Sequence, residues 1–209
     1  MKILITDDHA VLRRGLMQIL EDGFGPVQFG EASNASEAIE AVAREDWDVV
    51  MLDITMPGRT GLEALKDIKA IKPQQRVIVL SVHSEDQFAV RVLKAGASGF
   101  LNKDSAPEEL VKAVRKVTAG GRYVSNSLAE KLVMNLDHPT DRPAHQALSD
   151  REFQVLRMIG SGKTVSEIAV ELSLSVKTVS TYRTRILEKM ELNTNAEITR
   201  YAFENKLVE

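Results

Sequence analysis

Asp48-Val49-Val50-Met51-Leu52-Asp53-Ile54-Thr55-Met56-Pro57-Gly58 is a short apolar run that ends in a carboxylate and is then broken by proline and glycine. Such a run, bounded by turn residues, suits a strand buried on both faces of a parallel sheet. Asp53 falls at the carboxyl end of that strand, and Pro57-Gly58 turns the chain. In open α/β sheets, ligands bind in the crevice outside the carboxyl ends of the strands. A single Asp there is commonly only a turn or cap residue, so its meaning depends on what else reaches the same sheet edge.

Outward from this strand the chain alternates between two periodicities. Lys2–Thr6 is apolar, and Asp7, Asp8 and His9 follow at its end. Val11, Leu12, Leu16, Ile19 and Leu20 then recur at helical spacing. Val27–Ala32 reads as a weaker strand, and Asn34 with Glu37 forms a capping box before Ala38, Ile39 and Val42. Gly61–Ile71 is helical, with Leu62, Leu65 and Ile68 on one side. Arg76–Ser81 is a fourth strand, followed by a helix capped by Ser84 with Gln87 and carrying Phe88, Val92 and Leu93. Gly99-Phe100-Leu101 is a brief fifth strand ending at Asn102-Lys103, and Ser105 with Glu108 caps a helix holding Leu110, Val111, Val114 and Val117.

Five strands alternating with five helices predict a parallel sheet covered on both faces. The flavodoxin-like order 2-1-3-4-5 is one solution, with its crevice between the first and third strands. Asp7, Asp8 and Asp53 then converge at the switch point. Like charges this close repel and raise one another's pKa, and a hard divalent cation relieves them. Mg²⁺ takes a few carboxylate oxygens and keeps several waters, which leaves room for a substrate phosphate. Ser81 ends the fourth strand and Lys103 follows the fifth. A nucleophilic carboxylate, a metal, a hydroxyl and an ammonium are the parts that phosphoryl transfer needs. Each residue alone has a plainer reading: Asp7 or Asp8 as an N-cap, Ser81 as a strand-end hydrogen-bonding group, Lys103 as a solvated cation, Phe100 as core. No metal-ligand spacing supports a direct role for His9 or His83.

The length of 209 residues allows one large or two small domains. The net charge of −3 means that any nucleic-acid contact must come from a local patch. The absence of cysteine excludes disulfides and thiolate metal sites. No apolar run reaches the length of a membrane span, and Ile3-Leu4-Ile5 is too short for a signal peptide. The expectation is a cytoplasmic protein with no membrane partner.

Asp7-Asp8-His9, Asp53-x-x-Met56-Pro57-Gly58, Ser81 and Lys103-Asp104 together resemble the receiver domain of a bacterial two-component response regulator over about residues 1–120. The resemblance implies that Asp53 is the phospho-acceptor, taking its phosphoryl group from a sensor histidine kinase. It implies a Mg²⁺ site of Asp7, Asp8, Asp53 and the Thr55 carbonyl. Ser81 and Lys103 would contact the phosphoryl group, and Ser81 and Phe100 would be the switch pair. Many relatives have Thr and Tyr at these two positions; Ser and Phe keep the hydroxyl and the ring but lack the phenol OH. Thr55 and His83 would tune the phosphate lifetime.

Residues 1–121 are read as this domain and 122–146 as a linker in which Ser127–Asn135 forms a short helix. Asp137-His138-Pro139-Thr140-Asp141-Arg142-Pro143 has linker composition, and His138 and His145 read as solvated. Residues 147–209 form an all-α domain of four short helices. Ser149 with Glu152, Thr164 with Glu167 and Thr194 with Glu197 are capping boxes, and Ser175 is an N-cap after a tight turn. Val176, Val179, Ile186 and Met190 mark the buried face of the third helix, and the tight turn makes a helix-turn-helix.

Nine basic and nine acidic residues over 148–209 give this domain no overall positive charge. Its cations instead cluster locally, as Lys177, Arg183, Arg185 and Lys189 on the third helix. Ser180, Thr181 and Thr184 lie between them, and small hydroxyls can approach base edges while cations meet phosphates. Charge alone does not separate this from a solvated basic helix. Leu148-Ser149-x-Arg151-Glu152, Ile168-Ala169, Leu174-Ser175, Lys177-Thr178-Val179 and Lys189-Met190-x-Leu192 resemble the LuxR-type helix-turn-helix that ends NarL/FixJ-type response regulators. The resemblance implies base reading by Ser180, Thr181 and Thr184. It implies backbone contacts from Lys177, Tyr182, Arg183 and Lys189, with Arg185 on the same DNA-facing surface. The final helix would dimerise, with Arg200, Tyr201 and Glu204 as interface residues, once the protein is phosphorylated. The expected partners are a sensor histidine kinase and promoter half-sites in double-stranded DNA. The protein is not expected to be an enzyme beyond promoting its own phosphorylation and dephosphorylation. A Mg²⁺-dependent phosphatase on a similar sheet would need a second carboxylate two residues after Asp53, where Thr55 stands. A helix-turn-helix regulator gated by a small ligand would need an apolar pocket in place of the carboxylate cluster.

Overall fold

The computed structural model describes residues 1–81, 85–105, 107–125, 128–130 and 143–208, with the backbone alone for 85–88. The chain divides into two units, Met1–Asp137 and His138–Glu209.

In the first unit, β1 (Lys2–Thr6), β2 (Gln28–Ala32), β3 (Val49–Asp53), β4 (Val77–Ser81) and β5 (Gly99–Asn102) form one parallel sheet of order β2-β1-β3-β4-β5. The helices between and after them are α1 (Ala10–Phe24), α2 (Ala35–Arg44), α3 (Gly61–Ile71), α4 (Glu85–Lys94) and α5 (Pro107–Thr118). Every residue of β3 and β4 is buried, as central strands covered on both faces require. Ile3, Ile5, Met51, Ile78, Leu80 and Leu101 turn to one face and pack with Leu16 and Leu20 of α1 and Leu110 and Val114 of α5. The residues that alternate with them turn to the other face.

The strand and helix limits agree closely with the sequence reading, but three details differ. Val11 lies 85% exposed in the first turn of α1 and takes no part in its apolar stripe. Asn34 caps α2 by accepting from the Glu37 N–H, but the Glu37 carboxylate bonds the Ser33 N–H instead of closing the box on Asn34. Packing also continues past Gly121. Tyr123 pairs with Gly99 along the β5 edge and joins the core, and Leu128 is buried. The Ser84–Gln87 cap, His83, His138 and most of the expected 127–135 helix lie outside the described residues; 128–130 are helical.

The second unit holds a 3-10 turn (Ala144–Ala147) followed by α6 (Asp150–Gly160), α7 (Val165–Glu171), α8 (Val176–Met190) and α9 (Asn195–Glu204). Complete capping boxes open α6 from Ser149 and α7 from Thr164. Ser175 and Thr194 accept N3 backbone bonds at α8 and α9, but the Glu197 carboxylate accepts the Asn193 N–H, so the capping box expected at Thr194 does not close. Between α7 and α8, Ser173 adopts the left-handed conformation at φ 55° that tightens the turn. Phe153, Leu156, Ile168, Val179, Ile186 and Ile198 are buried.

Two further expectations are corrected in this unit. Val176 is 51% exposed, because it sits in the first turn of α8, roughly 60° around the helix from Val179. His145 is no solvated linker residue. Its N–H donates to the Tyr201 hydroxyl at 3.3 Å, its Nδ1 lies 3.0 Å from the same oxygen, and its ring packs 5.6 Å from Phe153.

Candidate functional site

The carboxyl ends of β1, β3, β4 and β5 carry Asp7, Asp53, Ser81 and Asn102-Lys103. Parallel pairing brings them to one sheet edge. The Lys103 N–H donates to the Ser81 carbonyl at 2.8 Å, which holds Lys103 beside the end of β4. Its Nζ donates to Asp7 Oδ2 at 2.6 Å and lies 2.9 Å from Asp53 Oδ2. One ammonium thus bridges two fully buried carboxylates. Burial disfavours the Lys103 ammonium, but the two carboxylates outweigh burial and raise it above the ordinary lysine value. Burial pushes the Asp53 carboxyl up to about 6, against the pull of Lys103 and of the Thr55 N–H. That N–H donates to Asp53 Oδ1 at 3.1 Å.

Asp7 Oδ1 accepts the His9 N–H at 2.8 Å, and Arg13 Nη1 donates to the Asp7 carbonyl at 2.8 Å. His9 Nδ1 stands 3.2 Å from Asp7 Oδ1 and 3.0 Å from Asp8 Oδ1. Among the described residues, Asp7, Asp8 and His9 are the group that could offer a metal one ligand atom each within 4.8 Å of one another. Among the described residues, Asp8 Oδ1 and Asp53 Oδ2 are buried oxygens that accept no hydrogen bond; their close approaches to His9 and Lys103 are ion-pair distances without hydrogen-bond alignment. Buried carboxylate oxygens in that state fit a hard divalent cation, and Asp7, Asp8 and Asp53 are the oxygen donors at hand. Receiver domains generally use Mg²⁺ at such an acidic pocket.

Ser81 and Phe100 are completely buried. Phe100 is the register partner of Val79, two residues before Ser81, so the ring and the hydroxyl project from the same face of the sheet. Backbone closeness shapes the floor of the site. The Gly61 N–H bonds the Ile54 carbonyl, and a Cβ on Gly61 would lie 2.0 Å from the Asp53 carbonyl oxygen. Only glycine lets α3 start there. The sequence reading did not single out Arg13 or Gly61: neither belongs to a local pattern, and their partners are known only once the strands are paired.

In the second unit, Lys177, Ser180, Thr181, Thr184 and Arg185 are exposed and share one face of α8. Thr181 and Thr184 donate their hydroxyls to the Lys177 and Ser180 carbonyls at 3.0 and 3.1 Å. Their oxygens keep lone pairs free to accept from outside. The other three expected contacts are engaged within the unit or partly covered. Tyr182 is half-buried, Arg183 Nε donates to Asn195 Oδ1, and Lys189 Nζ lies 2.7 Å from Glu152 Oε2. On α9, Arg200 and Glu204 are exposed and 3.9 Å apart, while Tyr201 is half-buried against His145. Phe203, 69% exposed, shares the outer face with Arg200 and Glu204, a residue the periodicity reading passed over because it lies off the core stripe. No described helix is long and apolar enough to cross a membrane.

A doubly wound parallel sheet with an acidic switch point, followed by a helix-turn-helix unit, defines a two-part signalling protein with an acidic input site and a DNA-binding output. Known proteins agree. The response regulator receiver domain matches residues 3–115, and the luxR family of bacterial regulatory proteins matches residues 146–202. The chain is 38% identical over 207 residues to the response regulator UvrY of Escherichia coli K12, covering 98% of this chain and 94% of that one. It is 36% identical over 209 residues to the response regulator GacA of Pseudomonas aeruginosa, covering 100% and 98%. RcsB of Salmonella enterica serovar Typhimurium, solved bound to promoter rprA with the phosphomimetic BeF3-, matches with a TM-score of 0.67 and 28% identity over 96% of this chain and 98% of that chain. The chain belongs to the NarL/FixJ family of response regulators, transcription regulators of two-component systems with a receiver and a LuxR-type DNA-binding domain.

Proposed function

We propose that Asp53 is the phospho-acceptor and that its phosphorylation controls dimerisation and sequence-specific DNA binding. The observation that carries this is the meeting of the buried Asp7 and Asp53 carboxylates at the one Lys103 ammonium, with Asp8 at the same sheet edge. An Asp53 carboxylate oxygen forms a bond to phosphorus as the bond from phosphorus to the phosphohistidine nitrogen of a sensor kinase breaks. Asp7, Asp8, Asp53 and the Thr55 carbonyl would hold Mg²⁺, which supplies charge neutralisation when bound. Lys103 leaves its pairing with Asp53 to meet the new phosphoryl oxygens, and the Ser81 hydroxyl turns onto them with Phe100 following. The acceptor gains about −2 charge and three acceptor oxygens, enough to redraw these pairings. The chain promotes its own phosphorylation and dephosphorylation and no other turnover.

The receiver passes this change through a joining segment within 122–146 to the helix-turn-helix domain. There Lys177 and Arg185 meet phosphates while Ser180, Thr181 and Thr184 face base edges of promoter half-sites. Tyr182, Arg183 and Lys189 support that helix as well as flanking the DNA. Arg200, Phe203 and Glu204 form the dimer contact on α9, with Tyr201 anchoring it from within. RcsB, solved bound to promoter rprA, supports a DNA-binding output for a chain of this architecture. The protein works in the cytoplasm. The test is intact mass after incubation with Mg²⁺ and acetyl phosphate: the wild type gains one phosphoryl group and Asp53→Asn gains none. An adduct on Asp53→Asn would overturn the assignment.

A further inference from the structure

The opposite end of the receiver sheet carries a second polar concavity that the phospho-acceptor site does not use. It is a cavity of about 560 Å³, within the size range of small-molecule sites. Its walls come from the segment leading into β4, from the turn between α4 and β5, and from the chain just after α5. Among the described residues, four cations line it, Lys69, Arg76, Lys94 and Arg122, and no Asp or Glu does. Among the described residues, none of the four has a carboxylate within salt-bridge distance. Lys69 is fixed by donating to the Gln75 carbonyl at 2.6 Å and the Pro73 carbonyl at 3.3 Å. Gly96, in the left-handed conformation at φ 98°, lets the turn close against the Lys69 stem. Burial, joined by the charge of Arg122, pulls the Lys69 ammonium below its ordinary value.

This concentration of charge does not follow from composition. Residues 1–122 contain 16 Lys and Arg against 18 Asp and Glu. Elsewhere in this unit Lys2, Arg13, Arg59, Lys72, Lys103 and Lys112 find carboxylate partners, while Arg14, Arg115 and Lys116 form no salt bridge among the described residues but do not share one concavity with no acidic residue. Four unneutralised cations around one concavity repel each other and are relieved by a compact, multiply charged anion. Two guanidinium groups add planar donor forks that match phosphate oxygens.

We propose that this cavity binds a small diphosphate-bearing anion, either an inorganic diphosphate or the diphosphate of a nucleotide. The anion sits between Arg76, Lys94 and Arg122 with Lys69 as the fixed charge at its wall. Ser98, just before β5, lines the same space.

The experiment uses the ¹⁵N-labelled full chain in Mg²⁺-free buffer with EDTA, titrated with pyrophosphate, ADP and adenosine. Pyrophosphate or ADP should shift the Gly96, Ser98 and Gly121 amides saturably, and adenosine should not. Affinity should weaken about tenfold or more in Arg76→Gln and Arg122→Gln. It should be unchanged in Lys112→Gln, which removes an exposed cation paired with Glu109 elsewhere on the unit. ADP binding more tightly than pyrophosphate assigns a nucleotide, and equal binding assigns the bare diphosphate. A second readout separates ligand binding from a structural role. Arg122→Gln should raise the anion-free unfolding temperature, because it relieves repulsion at Lys69, and should reduce the further rise on adding pyrophosphate. No saturable shift at these amides with either anion, equal binding of adenosine, or equal weakening by Lys112→Gln would overturn the proposal.

Discussion

Lys189 Nζ, on the third helix of the helix-turn-helix unit, lies 2.7 Å from Oε2 of the buried Glu152, the residue whose carboxylate also closes the capping box on Ser149. One carboxylate therefore ties the start of α6 to the end of α8. Burial opposes the Glu152 charge, but Lys189 and the Ser149 N–H and hydroxyl outweigh it and hold the carboxyl below the ordinary glutamate value. A depressed folded-state value stabilises the fold above the ordinary glutamate range, and that stability is lost on acidification through and below it. Glu152→Gln should destabilise the helix-turn-helix unit by about 2 kcal/mol at neutral pH. The gap from wild type should hold down to the ordinary glutamate range and close only as melts are carried below it, through the lowered folded-state value. A gap that stays constant with pH would show that the charge is not what stabilises the contact.

Lys103 separates Asp7 from Asp53. Lys103→Gln should cost about 3 kcal/mol in Mg²⁺-free buffer, because two buried carboxylates lose their shared cation. Adding Mg²⁺ should then raise the unfolding temperature more in the variant than in wild type, since a ligand of the folded state stabilises in proportion to its affinity. Equal Mg²⁺-induced shifts in the two proteins would contradict a common acidic site.

Gly61→Ala places a methyl group 2.0 Å from the Asp53 carbonyl oxygen. Backbone has to move to accept it, at a cost of about 3 kcal/mol. Because the displaced backbone is that of the acceptor residue, acetyl phosphate labelling should also slow. Chemical denaturation and intact-mass time courses measure the two effects.

On α8, Lys177 is exposed and makes no salt bridge among the described residues, whereas Lys189 is engaged by Glu152. Lys177→Gln should weaken binding to specific and non-specific DNA alike and reduce the salt slope of affinity by about 1, with no loss of thermal stability. Lys189→Gln should instead lower thermal stability first. Thr184→Ala should lower discrimination between DNA sequences by about 1 kcal/mol at the base it faces. Fluorescence anisotropy across a salt series checks all three.

Tyr201 and Phe203 test the proposed split between anchoring and dimerisation on α9. Tyr201→Phe removes the acceptor for His145 and should cost about 1 kcal/mol of stability, leaving the phosphorylated dimer intact. Phe203→Ser should leave stability nearly unchanged and weaken the dimer, as sedimentation of the beryllofluoride-treated protein would report.

The alternation of short apolar runs with amphipathic segments, and the caps at Asn34, Ser149, Thr164, Ser175 and Thr194, were legible in the sequence because they are local. A strand buried on both faces needs an unbroken apolar run, and a helix start needs a side-chain acceptor for its free N–H groups. Parallel order then placed Asp7, Asp53, Ser81 and Lys103 at one edge with no further information. Tertiary structure decided which neighbour each residue meets. Periodicity assigned Val11 and Val176 to apolar stripes, yet each sits in a first turn and remains largely exposed. His145 and Tyr123 read as joining residues, yet each is held by a partner far along or across the chain. Lys103 meets Asp7 across 96 positions and Lys189 meets Glu152 across 37. Spacing in sequence specifies the direction a side chain takes from its own helix or strand, while ion pairs and burial depend on what the packing of other elements brings within a few ångströms.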